Sequence, residues 1–117
     1  MFPIIVLGQI DVPIQNTSTD ENVRYRLFAT KNTYTFIKLD TRNGLMWQVQ
    51  WSIKGADYRY ETILNDLKLA ETNENGRFFL YSTTNIYNSI LLDQFDGRAW
   101  QVQWNSEKSD RLVMRIY

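Results

Sequence analysis

Asp40 and Asp93 stand 53 residues apart at equivalent positions of two closely similar runs. A symmetric pair of acids is what glycoside hydrolysis uses, one to protonate the leaving oxygen and the other as base or nucleophile. That chemistry requires the two carboxyl groups to lie about 5–10 Å apart within one pocket. Their setting supports a different role. Each opens a five-residue turn, Asp40-Thr41-Arg42-Asn43-Gly44 and Asp93-Gln94-Phe95-Asp96-Gly97. In such a turn the Asp side chain caps the backbone, and Gly44 or Gly97 supplies the left-handed residue that closes the hairpin. Capping is the preferred reading, so no residue is assigned a catalytic role.

The wider inventory narrows the chemistry further. The 117 residues include no histidine and no cysteine. Ser-His-Asp and Cys-His mechanisms, thiolate metal sites and disulfides therefore cannot be assembled from this chain. No metal site is expected. With Asp40 as the first position of a loop, the twelfth is Trp51, where an EF-hand would need a bidentate Glu. The five glycines are not clustered into a phosphate-binding loop, so no cofactor is implied. Thirteen Lys and Arg balance thirteen Asp and Glu, which argues against a broad nucleic-acid or acidic-membrane footprint.

Two residue sets remain that could bind rather than react. Trp47-Gln48-Val49-Gln50-Trp51 recurs unchanged as Trp100-Gln101-Val102-Gln103-Trp104. On a strand, alternate side chains share a face, so the indoles of each run point one way and the glutamines the other. The four Trp (47, 51, 100 and 104) are expected to form a shared core, with an aromatic stacking platform as the competing reading. Gln48, Gln50, Gln101 and Gln103 form a duplicated ladder of amides, suited to a ligand carrying hydroxyl or amide groups. The competing reading there is an ordinary solvent-facing sheet surface. Tyr34 and Tyr87, each two residues after an Asn (Asn32, Asn85), sit at loop-to-strand junctions and could contribute to a ligand rim.

These residues are positioned by an internal repeat. Residues 24–52 align without a gap on 77–105, with 14 identities over 29 positions. The identities include Arg24/Arg77, Leu27/Leu80, Tyr34/Tyr87, Leu39/Leu92 and both complete Trp-Gln-Val-Gln-Trp runs. Each copy reads as four short strands: Tyr25–Ala29, Tyr34–Leu39, Leu45–Ser52 and Tyr58–Leu64, then 78–82, 87–92, 98–105 and 111–117. A short helix over Glu61–Leu69 is a weaker competitor for the fourth strand. There is no room for parallel crossovers. The expectation is therefore an all-β, antiparallel single domain over 1–117. It comprises an extension (1–23), repeat one (24–65), a connector (66–76) and repeat two (77–117). One such unit cannot cover its own face, so the copies should share one core, in a small barrel or sandwich, about a pseudo-twofold axis.

The hairpin Leu39-Asp40-x-x-x-Gly44-x-x-Trp47 resembles one recurrent in bacterial propeller-type repeats, although two copies cannot close a propeller. Over about residues 24–117 the chain is similar to small uncharacterised bacterial proteins. Those proteins carry an Arg-aromatic-x-Leu-aromatic strand ahead of the Trp-Gln-Val-Gln-Trp hairpin. The resemblance implies an architecture and a bacterial origin, with no activity attached. The second copy departs from the first at Gln94-Phe95, which stand in place of Thr41-Arg42 and leave an aromatic that could mark a contact site.

The functional expectation is a non-catalytic binding or interaction module with an unidentified small-molecule or protein partner. A carbohydrate-binding or carboxylate-based carbohydrate-active protein is one alternative. A structural or oligomeric protein, down to a homodimer, is another. No apolar run is long enough to span a bilayer. Residues 2–9 read as a first strand or as the remnant of an export signal. The compartment is thus left unknown, with the cytoplasm slightly favoured and export the alternative.

Overall fold

The computed structural model describes residues 20–117; the proposed first strand, the export-signal reading and Asn16-Thr17-Ser18, a triplet that fits the N-glycosylation pattern, lie outside them. Eight strands follow in order: β1 (Tyr25–Ala29), β2 (Thr35–Asp40), β3 (Met46–Gln50), β4 (Tyr60–Asn65), β5 (Phe78–Ser82), β6 (Asn88–Asp93), β7 (Ala99–Gln103) and β8 (Leu112–Ile116). They form two antiparallel sheets, β1-β2-β3-β4 and β5-β6-β7-β8, each a simple meander. Single 3-10 turns, Ala56–Tyr58 and Lys108–Asp110, precede the last strand of each sheet. The candidate helix over Glu61–Leu69 is instead strand β4 followed by a loop.

The duplicated turn shows why each hairpin forms. The Asp40 carboxylate accepts the Arg42 N–H at 3.0 Å, and the Asp40 carbonyl accepts the Gly44 N–H at 3.0 Å. Asp93 repeats both contacts, with Phe95 at 3.0 Å and Gly97 at 2.8 Å. Gly44 and Gly97 lie at φ 84° and 83°, a region that L residues seldom enter. Each turn carboxylate is then locked by the arginine that opens its repeat, Arg24 on Asp40 and Arg77 on Asp93. This hydrogen-bonded pairing with Asp93 holds the Arg77 guanidinium above its ordinary range.

The two sheets pack face to face around one core and do not close into a barrel. Phe28, Ile37, Leu39, Met46 and Leu64 from the first sheet meet Phe78, Leu80, Leu91, Trp100, Val102 and Trp104 from the second. Cross-strand register shows which faces these are. The first sheet contributes the row Phe28-Ile37-Gln48-Thr62, on its glutamine face. The second contributes Leu80-Leu91-Trp100-Arg115, on its tryptophan face. The faces that meet are therefore not equivalent.

That asymmetry corrects the pseudo-twofold. Two copies related by a twofold bury the same residues from each side of their contact. Here Gln48 is 4% exposed while its counterpart Gln101 is exposed, and Trp104 is 5% exposed while Trp51 is 39%. The contact is head to tail, the back of one sheet lying on the front of the next.

Candidate functional site

The tryptophan runs place four indoles in two environments. Trp100 and Trp104 lie in the core. Trp47 is half-buried and Trp51 exposed, so neither occupies the shared core expected of all four. The local geometry of the two copies is otherwise the same. Trp51 Nε1 donates to the Thr33 carbonyl at 2.8 Å, and Trp104 Nε1 to that of Ile86 at 3.0 Å. Tyr34 and Tyr87 pack on these indoles with ring centroids 5.1 Å apart in both cases. Asn32 and Asn85 set that contact by accepting the N–H of Tyr34 and Tyr87, each at 2.9 Å. The exposure differs: Trp104 is packed in the core cluster that both sheets share, and Trp51 is left exposed.

The glutamines do not converge into one ladder. Gln48 Nε2 donates to the Asn105 carbonyl at 3.0 Å, and its Oε1 accepts the Asn105 N–H at 3.2 Å. A single side chain thereby pairs with backbone as a neighbouring strand would and joins the two sheets. Gln50 accepts from the Thr35 hydroxyl, while Gln103 accepts from Asn88 and donates to the Asp110 carbonyl. Gln101 donates to Asn88 on the open outer face of the second sheet. Gln101 is thus the accessible member, and Gln48 belongs to the joint.

A cleft of about 330 Å³ opens where the first sheet ends, lined by Tyr34, Gln50, Trp51, Ser52, Ile53, Lys54, Tyr58 and Tyr60. Tyr34, Gln50 and Trp51 were legible as candidates. Ile53, Lys54, Tyr58 and Tyr60 were not, because the segment after β3 recurs in structure, as a 3-10 turn and a strand, without a matching sequence in the second copy. The signal available there was the Tyr58-x-Tyr60 spacing beside exposed Ile53. The Lys54 ammonium sits 5.5 Å from the Tyr58 ring centroid, giving the cleft one cation beside its aromatic walls.

The carboxylates stay at their turns. Asp93, fully buried, is held by Arg77 at 2.9 Å and Arg98 at 3.2 Å; Asp40 is held by Arg24 at 3.1 Å. Asp96 is held below the usual carboxylate range, first by the Arg98 N–H and then by its guanidinium, and it too serves the turn. Among the described residues, no group of three or more acidic side chains converges on a point. Among the described residues, no helix is long and apolar enough to cross a membrane.

No family model matches the chain, and neither the curated proteins nor the solved structures yield a match. The site must therefore be read from its own geometry. A second hollow of about 240 Å³, lined in part by Arg24, Arg42 and Lys68, is less informative. Arg24 is bound to Asp40 and Arg42 to Asn75, so most of its charge already serves the fold.

Proposed function

We propose that this protein is a non-catalytic interaction module whose recognition surface is the open tryptophan face of the first sheet, with the aromatic cleft at its rim. One observation carries the reading. The same motif is buried under a neighbouring sheet in the second repeat and left uncovered in the first. Tyr25, Leu27 and Ile63 are 48%, 40% and 45% exposed around half-buried Trp47, a largely apolar surface on a sheet face that the closed Lys38–Glu61 pair interrupts. Solvent-facing sheet surfaces ordinarily alternate to polar residues, and contiguous apolar patches mark contact sites. The acids, tied to arginines at turns, favour binding over carboxylate catalysis.

A second reading has its own support. Trp51 with three tyrosines, Gln50 and Lys54 makes a cleft whose flat apolar walls carry polar tips, suited to a saccharide ring. Titrating the full chain with mono- and oligosaccharides, while following melting temperature and tryptophan fluorescence, tests it. A saccharide that raises the melting temperature should lose that effect in Trp51→Ala and keep it in Tyr81→Ala, on the opposite side of the molecule. A flat response across the panel removes the saccharide reading. The module reading itself fails if hydroxyl-radical footprinting finds Trp47, Trp51 and Tyr25 as protected as Trp100 at nanomolar protein, where no partner is bound.

A further inference from the structure

We propose that the partner is another copy of this chain, docked head to tail: the free glutamine face of one copy's second sheet seats on the free tryptophan face of the next copy's first sheet. This rests on the module reading above and names what the open face binds. Each half of the required joint already exists in the molecule, and the two halves fit each other once inside it. Between the sheets, the row Phe28-Ile37-Gln48-Thr62 lies on the side occupied by Leu80-Leu91-Trp100-Arg115.

Both surfaces occur a second time, uncovered among the described residues. The counterpart of the first row is Tyr81-Ile90-Gln101-Met114, in which Tyr81, Ile90 and Met114 are 46%, 39% and 57% exposed. That of the second is Leu27-Lys38-Trp47-Ile63. Three apolar residues of four on each free row are hard to explain on a solvated sheet and natural in a joint. By the 53-residue correspondence, Gln101 would grip the backbone of Ser52 of the neighbouring copy as Gln48 grips Asn105. Trp51 would then be covered as Trp104 is, and the cleft would acquire its missing wall.

One chemical difference separates the two joints. Lys38 and Glu61 stand on the first sheet where Leu91 and Val113 stand on the second. The pair is closed at 2.7 Å, with the Lys38 ammonium 4.9 Å from the Trp47 ring centroid, so it enters the joint without net charge. A head-to-tail joint leaves one face free at each end until the chain of copies closes on itself. Four-stranded meanders packed in this way close as rings of roughly 4–8 sheets, which corresponds to about two to four copies. Closure uses every free face, which a single chain cannot do.

Native mass spectrometry and sedimentation velocity on the full chain test this directly. The expected result is a discrete assembly within that range; a strict monomer up to high micromolar protein overturns the proposal. Two variants then test polarity. Trp47→Glu blocks one face and Ile90→Arg the other, and circular dichroism reports whether each still folds. Each variant alone should be monomeric, and the mixture should give a one-to-one dimer that grows no further. Variants that remain oligomeric alone, or that fail to pair when mixed, exclude the head-to-tail joint. Because the chain has no native cysteine, Ser52→Cys and Gln101→Cys provide an independent readout. A short bismaleimide should link 52 of one copy to 101 of another; links only between identical positions overturn the proposal. A monomer that still binds a saccharide through Trp51 would discard self-assembly and leave the module reading standing.

Discussion

Asp93 and Asp40 do the same job with unequal margins. Asp93 is fully buried, holds two arginines and receives two turn N–H groups. Among the described residues Asp40 holds only Arg24, whose side chain is 44% exposed against 17% for Arg77. Removing a buried partner strands the remaining charge, and water relieves that charge only where it can reach it. Asp93→Ala should therefore cost about 3 kcal/mol, and Asp40→Ala about 1–2 kcal/mol because Arg24 rehydrates. Urea denaturation of the two variants at neutral pH checks the order. Equal losses would mean that the second arginine on Asp93 contributes nothing.

At the scale of the strands, much was legible in sequence and one thing was not. Strand positions followed from period-two alternation, and the Asp-x-x-x-Gly turns from turn chemistry, because both are local properties of the residues. Which face of each sheet is buried is not local. Trp47-Gln48-Val49-Gln50-Trp51 and its second copy are identical, so nothing within the motif distinguishes a covered tryptophan face from an open one. The signal lay on neighbouring strands, where the first sheet has Lys38 and Glu61 against Leu91 and Val113. Cleft residues Ile53, Tyr58 and Tyr60 escaped because the segment carrying them is duplicated in structure and not in sequence. The same asymmetry separates two equivalent glutamines. Gln48→Ala, which removes two hydrogen bonds to the Asn105 backbone, should cost about 2 kcal/mol. Gln101→Ala, measured at protein concentrations low enough to be monomeric, should cost under about 0.5 kcal/mol, as surface changes do. If both lose stability equally in dilute monomer, the amide of Gln48 is not what joins the sheets.

For the whole molecule, stability resides in the contact between repeats as much as within them. A lone four-stranded meander with one apolar face is marginal in water, and in repeat architectures the nearest-neighbour contact supplies what the unit lacks. The two sheets should accordingly unfold together. Indole fluorescence, far-ultraviolet circular dichroism and amide exchange resolved by sheet should give one coincident transition. Phe78→Ala removes a fully buried ring from the second sheet's side of the joint and should cost about 3–4 kcal/mol. The decisive part is where that loss is felt. Amides of β2 and β3, none of which belongs to the mutated sheet, should lose protection by the same amount as those of β6 and β7. A variant whose first sheet keeps its protection while the second exchanges freely would show two independently stable units, and stacking would then not be what completes them. Concentration adds a second axis, since docking of further copies on the free faces stabilises only the folded state. The melting temperature of the native chain should rise with protein concentration, and that of Trp47→Glu should not.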